Sequence, residues 1–306
     1  MTRKISVSLP DPALREYLEP HPDVTVLDWD FEGEAPQSKI DIVVPPYMGG
    51  TQVLRRLEDI ETALVQSQSI GYDGVTESLP NGRVFANAAG VHETSTAELV
   101  LAMVLASQRE LPRLLRNQQA GLWETRPTAS LADCRVLMVG YGGVGKAVEQ
   151  RLIPFETSVT RVASRARTDP SGAVHGIAEL PTLLPIHDIV VVAVPLSDAT
   201  LHLVDDAFLT AMPEGALLVN VARGPVADTA ALVRHTASGR IRAALDVTDP
   251  EPLPRDHPLW TTPGVIITPH VGGASSAMRP RMGRLLQRQI ELMLAGKPPA
   301  NVVLGG

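Results

Sequence analysis

Three polar residues stand where sheet-and-helix packing does not explain them. Arg223 comes just past the apolar run 216–220, in Asn220-Val221-Ala222-Arg223-Gly224. Glu251 sits between Pro250 and Pro252 after the run 243–247, and His270 follows 265–268 in Thr268-Pro269-His270-Val271-Gly272-Gly273. A guanidinium binds anionic oxygens through charge-assisted, often bidentate hydrogen bonds. An imidazole exchanges a proton near neutral pH, and a carboxylate beside it orients the ring and favours its charged form. All three follow strand-like runs, and open αβ sheets bind ligands outside the C-terminal ends of their strands. The three can converge there into a site that holds an anion and moves a proton. A lone histidine in this position would read as structural; the arginine and glutamate change that reading. His92, His175, His187, His202, His235 and His257 have no such setting and read as structural or solvated. No pair has metal-ligand spacing with companion ligands, so no metal is expected.

A second constellation lies upstream. Gly140-Tyr141-Gly142-Gly143-Val144-Gly145 carries G-x-G-x-x-G directly after the apolar run 135–139 and before a helical stretch at 147–152. That context is the dinucleotide fingerprint: the first glycine permits the tight turn, the second lets backbone approach a pyrophosphate, and the third lets helix and strand pack. The helix N-terminus then offers free N–H groups to the phosphates. About 20 residues on, an acid would ordinarily bind the ribose 2′-hydroxyl. Here the strand 159–162 ends in Ala163-Ser164-Arg165-Ala166-Arg167, and Asp169 is the first acid beyond it. A hydroxyl and a guanidinium suit a 2′-phosphate. NADP(H) is therefore the expected cofactor, with NAD possible and solvated loop arginines the bland alternative.

The elements that must position these residues form two series. Runs at 5–8, 24–27, 42–44 and 63–65, rich in β-branched residues and bounded by Pro, Gly or Asp, suggest a parallel sheet of βα units. Around Ala97 the texture changes to an apolar helix, 98–108, after which Pro112 kinks or restarts the chain. A second series follows at 135–139, 159–162, 188–194, 216–220, 243–247 and 265–268. Its near-continuous apolar strands belong to a sheet covered on both faces. A last helix is expected over 278–295. The fold class is α/β, with no repeat at solenoid periods.

Composition narrows the partners. With 306 residues, 44% of them hydrophobic, the chain has material for two domains. Its longest apolar run, 99–106, is far short of a membrane span, and the opening MTRKISVSLP lacks the apolar core of a secretory signal. A single cysteine, Cys134, fits a reducing, cytoplasmic setting. A net charge of −7 without a basic stripe argues against a nucleic-acid partner.

Taken together, these motifs resemble the D-isomer-specific 2-hydroxyacid dehydrogenases over nearly the whole chain. The matching stretches are the glycine loop through Lys146, AVPLS at 193–197, NVARG at 220–224, AALDVTDPEPLP at 243–254, PLW at 258–260 and TPHVGG at 268–273. The resemblance implies two Rossmann-like domains, the nucleotide domain (97–276) inserted into a substrate domain (1–96 and 277–306). It implies that Arg223 binds the substrate carboxylate and polarises the carbonyl, and that His270 is the acid/base while Glu251 orients it. It implies that Ile70 and Gly71 support the carboxylate, and that the loop at 45–50 faces the substrate side chain. Asp246 and Ala222 would hold the nicotinamide, with Val194, Pro195, Val221 and Gly273 also around the cofactor. The glyoxylate and hydroxypyruvate reductase branch is the nearest in pattern, which makes a small 2-keto acid the expected substrate and a homodimer the expected assembly. The apolar helix at 98–108 suggests burial beyond its own domain. Two alternatives stay open: a dinucleotide-sensing scaffold of the same fold, and an NAD-preferring dehydrogenase of bulkier acids.

Overall fold

The computed structural model describes residues 4–305; Met1 to Arg3, part of the opening segment read above, lie outside them. In chain order the strands and helices begin with β1 (Ile5–Leu9), β2 (Val24–Asp28), β3 (Ile42–Val43), β4 (Leu64–Gln66) and β5 (Phe85–Ala86). Then come α1 (Glu93–Gln108), α2 (Leu111–Gln119), β6 (Arg135–Val139), α3 (Gly143–Leu152), β7 (Ser158–Ala163), β8 (Arg167–Asp169) and β9 (Gly172–Gly176). The chain continues through α4 (Leu180–Leu183), β10 (Ile189–Val192), α5 (Asp206–Ala211), β11 (Leu217–Asn220) and α6 (Thr229–Ala237). It closes with β12 (Arg242–Leu245), β13 (Val265–Ile267), α7 (Met278–Leu294) and β14 (Val302–Leu304).

Two compact units result, one of Met1–His92 with the segment from Ser275, the other Glu93–Ala274. The first division falls at 92/93 rather than the expected 96/97, where α1 begins at Glu93, five residues before its apolar stretch; the second falls at 274/275, two residues before the expected 276/277. The first unit has a six-stranded sheet in the order β14-β5-β4-β3-β1-β2, parallel except where β14 meets β5. Helix α7 supplies Met282, Leu286 and Ile290 to its core against Ile5, Val7 and Ile42.

The second unit is built on the order β13-β12-β11-β10-β6-β7-β9-β8, parallel except for the β8–β9 hairpin. Alternate residues of its central strands face opposite sides. Leu137, Val139, Val190, Val192 and Leu218 pack with Phe208, Leu209 and Leu232 on one face. Val136, Met138, Val191 and Val219 pack with Ala97, Val100, Val104 and Val148 on the other. Both faces being covered explains why the strands read as unbroken apolar runs. Burying each such aliphatic side chain contributes about 1.5–3 kcal/mol. Helix α1 packs against α3, β11 and β12, with only Glu98 and Ala102 of its sixteen residues exposed. Most of its apolar residues pack within its own unit, with Leu99, Leu101 and Leu105 partly buried.

Candidate active site

Strands β11, β12 and β13 lie side by side in parallel, Asn220 opposite Leu245 and Leu245 opposite Ile267, so their C-terminal ends finish at one level. Arg223, Glu251 and His270 leave from these three ends. Past β11 the buried Asn220 side chain accepts the Ala222 N–H (3.0 Å) and donates to the Arg223 carbonyl (3.2 Å), turning the chain so that half-buried Arg223 follows. Arg223 Nη1 donates to the Ala222 carbonyl at 2.8 Å. The next residue, Gly224, presses on the loop that leads to Glu251: a Cβ there would sit 1.8 Å from the Thr248 oxygen. Thr229 Oγ1 adds a second tie, donating to the Asp249 carbonyl at 2.8 Å.

Glu251, flanked by cis Asp249–Pro250 and Glu251–Pro252 bonds, accepts from His270 Nδ1 at 2.6 Å, with side chains 39% and 26% exposed. With Nδ1 engaged, Nε2 is the ring atom left to give or take a proton. His270 has φ +53°, a left-handed conformation that histidine tolerates better than most residues. Its turn is built on Asp246. The Asp246 carbonyl accepts the His270 N–H at 2.7 Å, and its carboxylate accepts Thr268 Oγ1 (2.6 Å) and the N–H groups of Val271 and Gly272 (2.9 Å each). Asp246 is 3% exposed. The residue that the resemblance places on the nicotinamide therefore also shapes the histidine turn, a role sequence alone did not reveal. Asp246→Asn puts an amide donor against a backbone donor. It should lower unfolding stability by about 1.5–3 kcal/mol, the worth of a hydrogen bond to a charged group, read as a fall in Tm together with a loss of turnover.

The glycine loop fits a dinucleotide. Gly140 has φ +105°, and a Cβ on it would lie 2.5 Å from the Ala193 oxygen, so only glycine passes between β6 and the Val194–Pro195 loop after β10. Gly142, the residue before α3, is exposed, and a Cβ there would meet nothing within 4 Å. Open space over an N-terminal helix end at the point where the sheet order diverges is what a pyrophosphate requires. Gly143 and Val144 begin α3, and Gly145 packs on Gly140. Val194 and Val221 are half-buried and Ala222 buried, while Pro195 is exposed; Gly273 follows the histidine turn.

Ser164 and Arg165 are exposed beyond β7. Arg167 departs from the expected loop: it opens β8, and its Nη2 donates to the Tyr141 carbonyl at 3.0 Å. The hairpin went unread because RTD and GAVHG carry no apolar alternation. In the other unit, Asn87 Nδ2 donates to the Ile70 carbonyl (2.9 Å), fixing the loop that carries Ile70 and Gly71. There Gln68 Nε2 also donates to the Pro45 carbonyl (2.9 Å), and the Tyr47 ring stacks on His92 at 5.5 Å. No three His, Cys, Asp or Glu among the described residues group as a metal site, and no described helix is long and apolar enough to cross a membrane.

Comparisons with known proteins identify the family. A family model for the NAD binding domain of D-isomer specific 2-hydroxyacid dehydrogenases matches residues 101–272. The glyoxylate reductase/hydroxypyruvate reductase of Homo sapiens is 32% identical over 296 residues, 90% of each chain. The glyoxylate reductase of Thermofilum pendens is 32% identical over 253 residues, 78% of this chain and 74% of its own. Among solved structures, a D-isomer specific 2-hydroxyacid dehydrogenase from Xanthobacter autotrophicus, in complex with NADPH and MES, is similar with a TM-score of 0.81 at 27% identity, covering 98% of each chain. The chain belongs to the D-isomer-specific 2-hydroxyacid dehydrogenase family, NAD(P)-dependent oxidoreductases with two Rossmann-like domains.

Proposed function

We propose that the chain reduces a small 2-keto acid, glyoxylate or hydroxypyruvate, with NADPH, the Glu93–Ala274 unit holding the dinucleotide and the other unit serving the substrate. The observation that carries this is the 2.6 Å Glu251–His270 pair at a strand end in the same sheet edge as Arg223. Bound nicotinamide supplies the hydride. Arg223 binds the carboxylate and draws electron density from the carbonyl; His270 Nε2 delivers the proton to the carbonyl oxygen, and Glu251 stabilises the charged ring before transfer. In the reverse direction the same nitrogen accepts the proton. The human glyoxylate reductase/hydroxypyruvate reductase and the Thermofilum glyoxylate reductase support the choice of acids. The test is nicotinamide absorbance with NADPH and NADH against glyoxylate, hydroxypyruvate, pyruvate, phenylpyruvate and a branched 2-keto acid. Turnover fastest with NADPH on the two small acids is expected; tight NADPH binding without turnover on any acid would move the protein to a sensing role.

Preference for the phosphorylated cofactor rests on exposed Ser164 and Arg165, with no carboxylate at the end of β7. The NADPH-bound relative from Xanthobacter supports it. Arg165→Ala should raise the KM for NADPH by about 10- to 100-fold, as a charge-assisted hydrogen bond of 1.5–3 kcal/mol implies, and leave that for NADH nearly unchanged. Equal effects on both would remove the phosphate reading.

The protein acts as a cytoplasmic homodimer in this reading. Trp123 is 97% exposed and Leu122, Leu115 and Leu111 lie exposed near it in sequence, an apolar surface of the kind that marks a protein interface.

A further inference from the structure

The glycine loop has a side chain that the fingerprint does not require. Tyr141 is 3% exposed, and its hydroxyl donates to Glu149 Oε2 in α3. Glu149, itself buried, takes Arg161 of β7 on its other oxygen, at 2.8 Å from Nε and 2.6 Å from Nη2. The guanidinium carbon lies 5.4 Å from the Tyr141 ring centroid. Burial and the Glu149 carboxylate both push the Tyr141 phenol up from its ordinary pKa, so it stays protonated and donates. A buried ion pair is a weak source of stability, since apolar residues of equal volume often serve as well. What this one touches gives it a role.

The β8–β9 hairpin rests on the network. A Cβ on Gly172, which has φ +111°, would lie 3.2 Å from Arg161 Nη1, so the turn of the hairpin sits against that guanidinium. Asp169 at the end of β8 accepts the Ser171 N–H at 2.9 Å and faces Lys146 Nζ of α3 at 3.7 Å. At the start of β8, Arg167 donates to the Tyr141 carbonyl. The segment 164–166 is therefore held at both ends, by Arg161 within β7 and by Arg167 and Asp169 in β8, while Ser164 and Arg165 face solvent.

We propose that Tyr141, Glu149 and Arg161 are positioning residues that fix the hairpin against the glycine loop and so keep Ser164 and Arg165 preformed for a 2′-phosphate. The proposal rests on the reading of those two residues as the phosphate grip. A preformed grip spares the ordering of flexible side chains on binding. A dinucleotide without the 2′-phosphate gains nothing from it, so loosening the network weakens one cofactor selectively. A merely structural network would weaken both together.

The test is the Kd of NADPH and of NADH, from nicotinamide fluorescence without substrate, in the full chain and two variants. Tyr141→Phe keeps the ring and removes the hydroxyl that ties the glycine loop to Glu149 and, through it, to Arg161. The double variant Glu149→Met with Arg161→Leu removes both charges at once, so neither is left buried alone, and thermal melting confirms that it folds. Each should raise the NADPH Kd by about three- to tenfold, the size of one hydrogen bond's net contribution, and move that of NADH less than about twofold. Parallel changes for both cofactors, or an unchanged ratio in Tyr141→Phe, overturn the proposal while the wild-type NADPH preference stands. Wild-type protein that binds NADH as tightly as NADPH overturns the phosphate grip itself and this inference with it.

Discussion

His270→Asn should lower kcat for 2-keto acid reduction by about 10²- to 10⁴-fold, the usual worth of a positioned general acid. Asparagine is the informative substitution because it shares histidine's tolerance for the left-handed backbone found at φ +53°. The turn on Asp246 is then kept, and the change reports proton transfer rather than a collapsed loop. Dinucleotide binding and Tm should stay close to wild type. If kcat falls by less than tenfold with the fold intact, another group delivers the proton. Glu251→Gln should cost less, about tenfold, because the amide oxygen still accepts from Nδ1 but no longer stabilises a charged ring.

Arg223→Lys should lower kcat/KM for the keto acid by roughly 10- to 100-fold despite keeping the charge. An ammonium cannot reproduce the planar fork that binds a carboxylate bidentately while facing the adjacent carbonyl. Both KM and kcat should suffer, since the guanidinium holds the ground-state carboxylate and also stabilises charge developing on the carbonyl oxygen. A change confined to KM would assign Arg223 to binding alone. The Asn220 turn and the contact of Gly224 with Thr248 position the backbone, so the lysine is expected at the same place on the sheet edge.

Much of the nucleotide unit was legible because a parallel sheet covered on both faces writes itself as apolar runs. Strand β6 occupies the expected 135–139, and β10 and β13 sit inside the runs at 188–194 and 265–268. Elements of weak pattern escaped. Strand β5 has two residues, β14 has three, and the β8–β9 hairpin is polar at the sheet edge. The order and spacing of the Arg, Glu and His motifs were legible, as was the glycine loop, since each is a local string. Asp246 as the frame of the histidine turn and Glu149 as partner of both Tyr141 and Arg161 were not. Those roles depend on which side chains a tertiary fold brings together across 8 to 26 residues. A glutamate in the apolar stripe of α3 and an arginine within β7 were the available signals, two charges that could be buried only as a pair.

The discontinuous first unit bears on the order in which the polypeptide can mature. Its early strands leave the ribosome long before α7, whose Met282, Leu286 and Ile290 complete their hydrophobic core, and β14 joins β5 later still. The whole of Glu93–Ala274 is synthesised in between, and it is contiguous. Because domains fold as units during synthesis, the dinucleotide-binding half can finish first and stand as a completed body while the flanking half waits, half-cored, for its last helix.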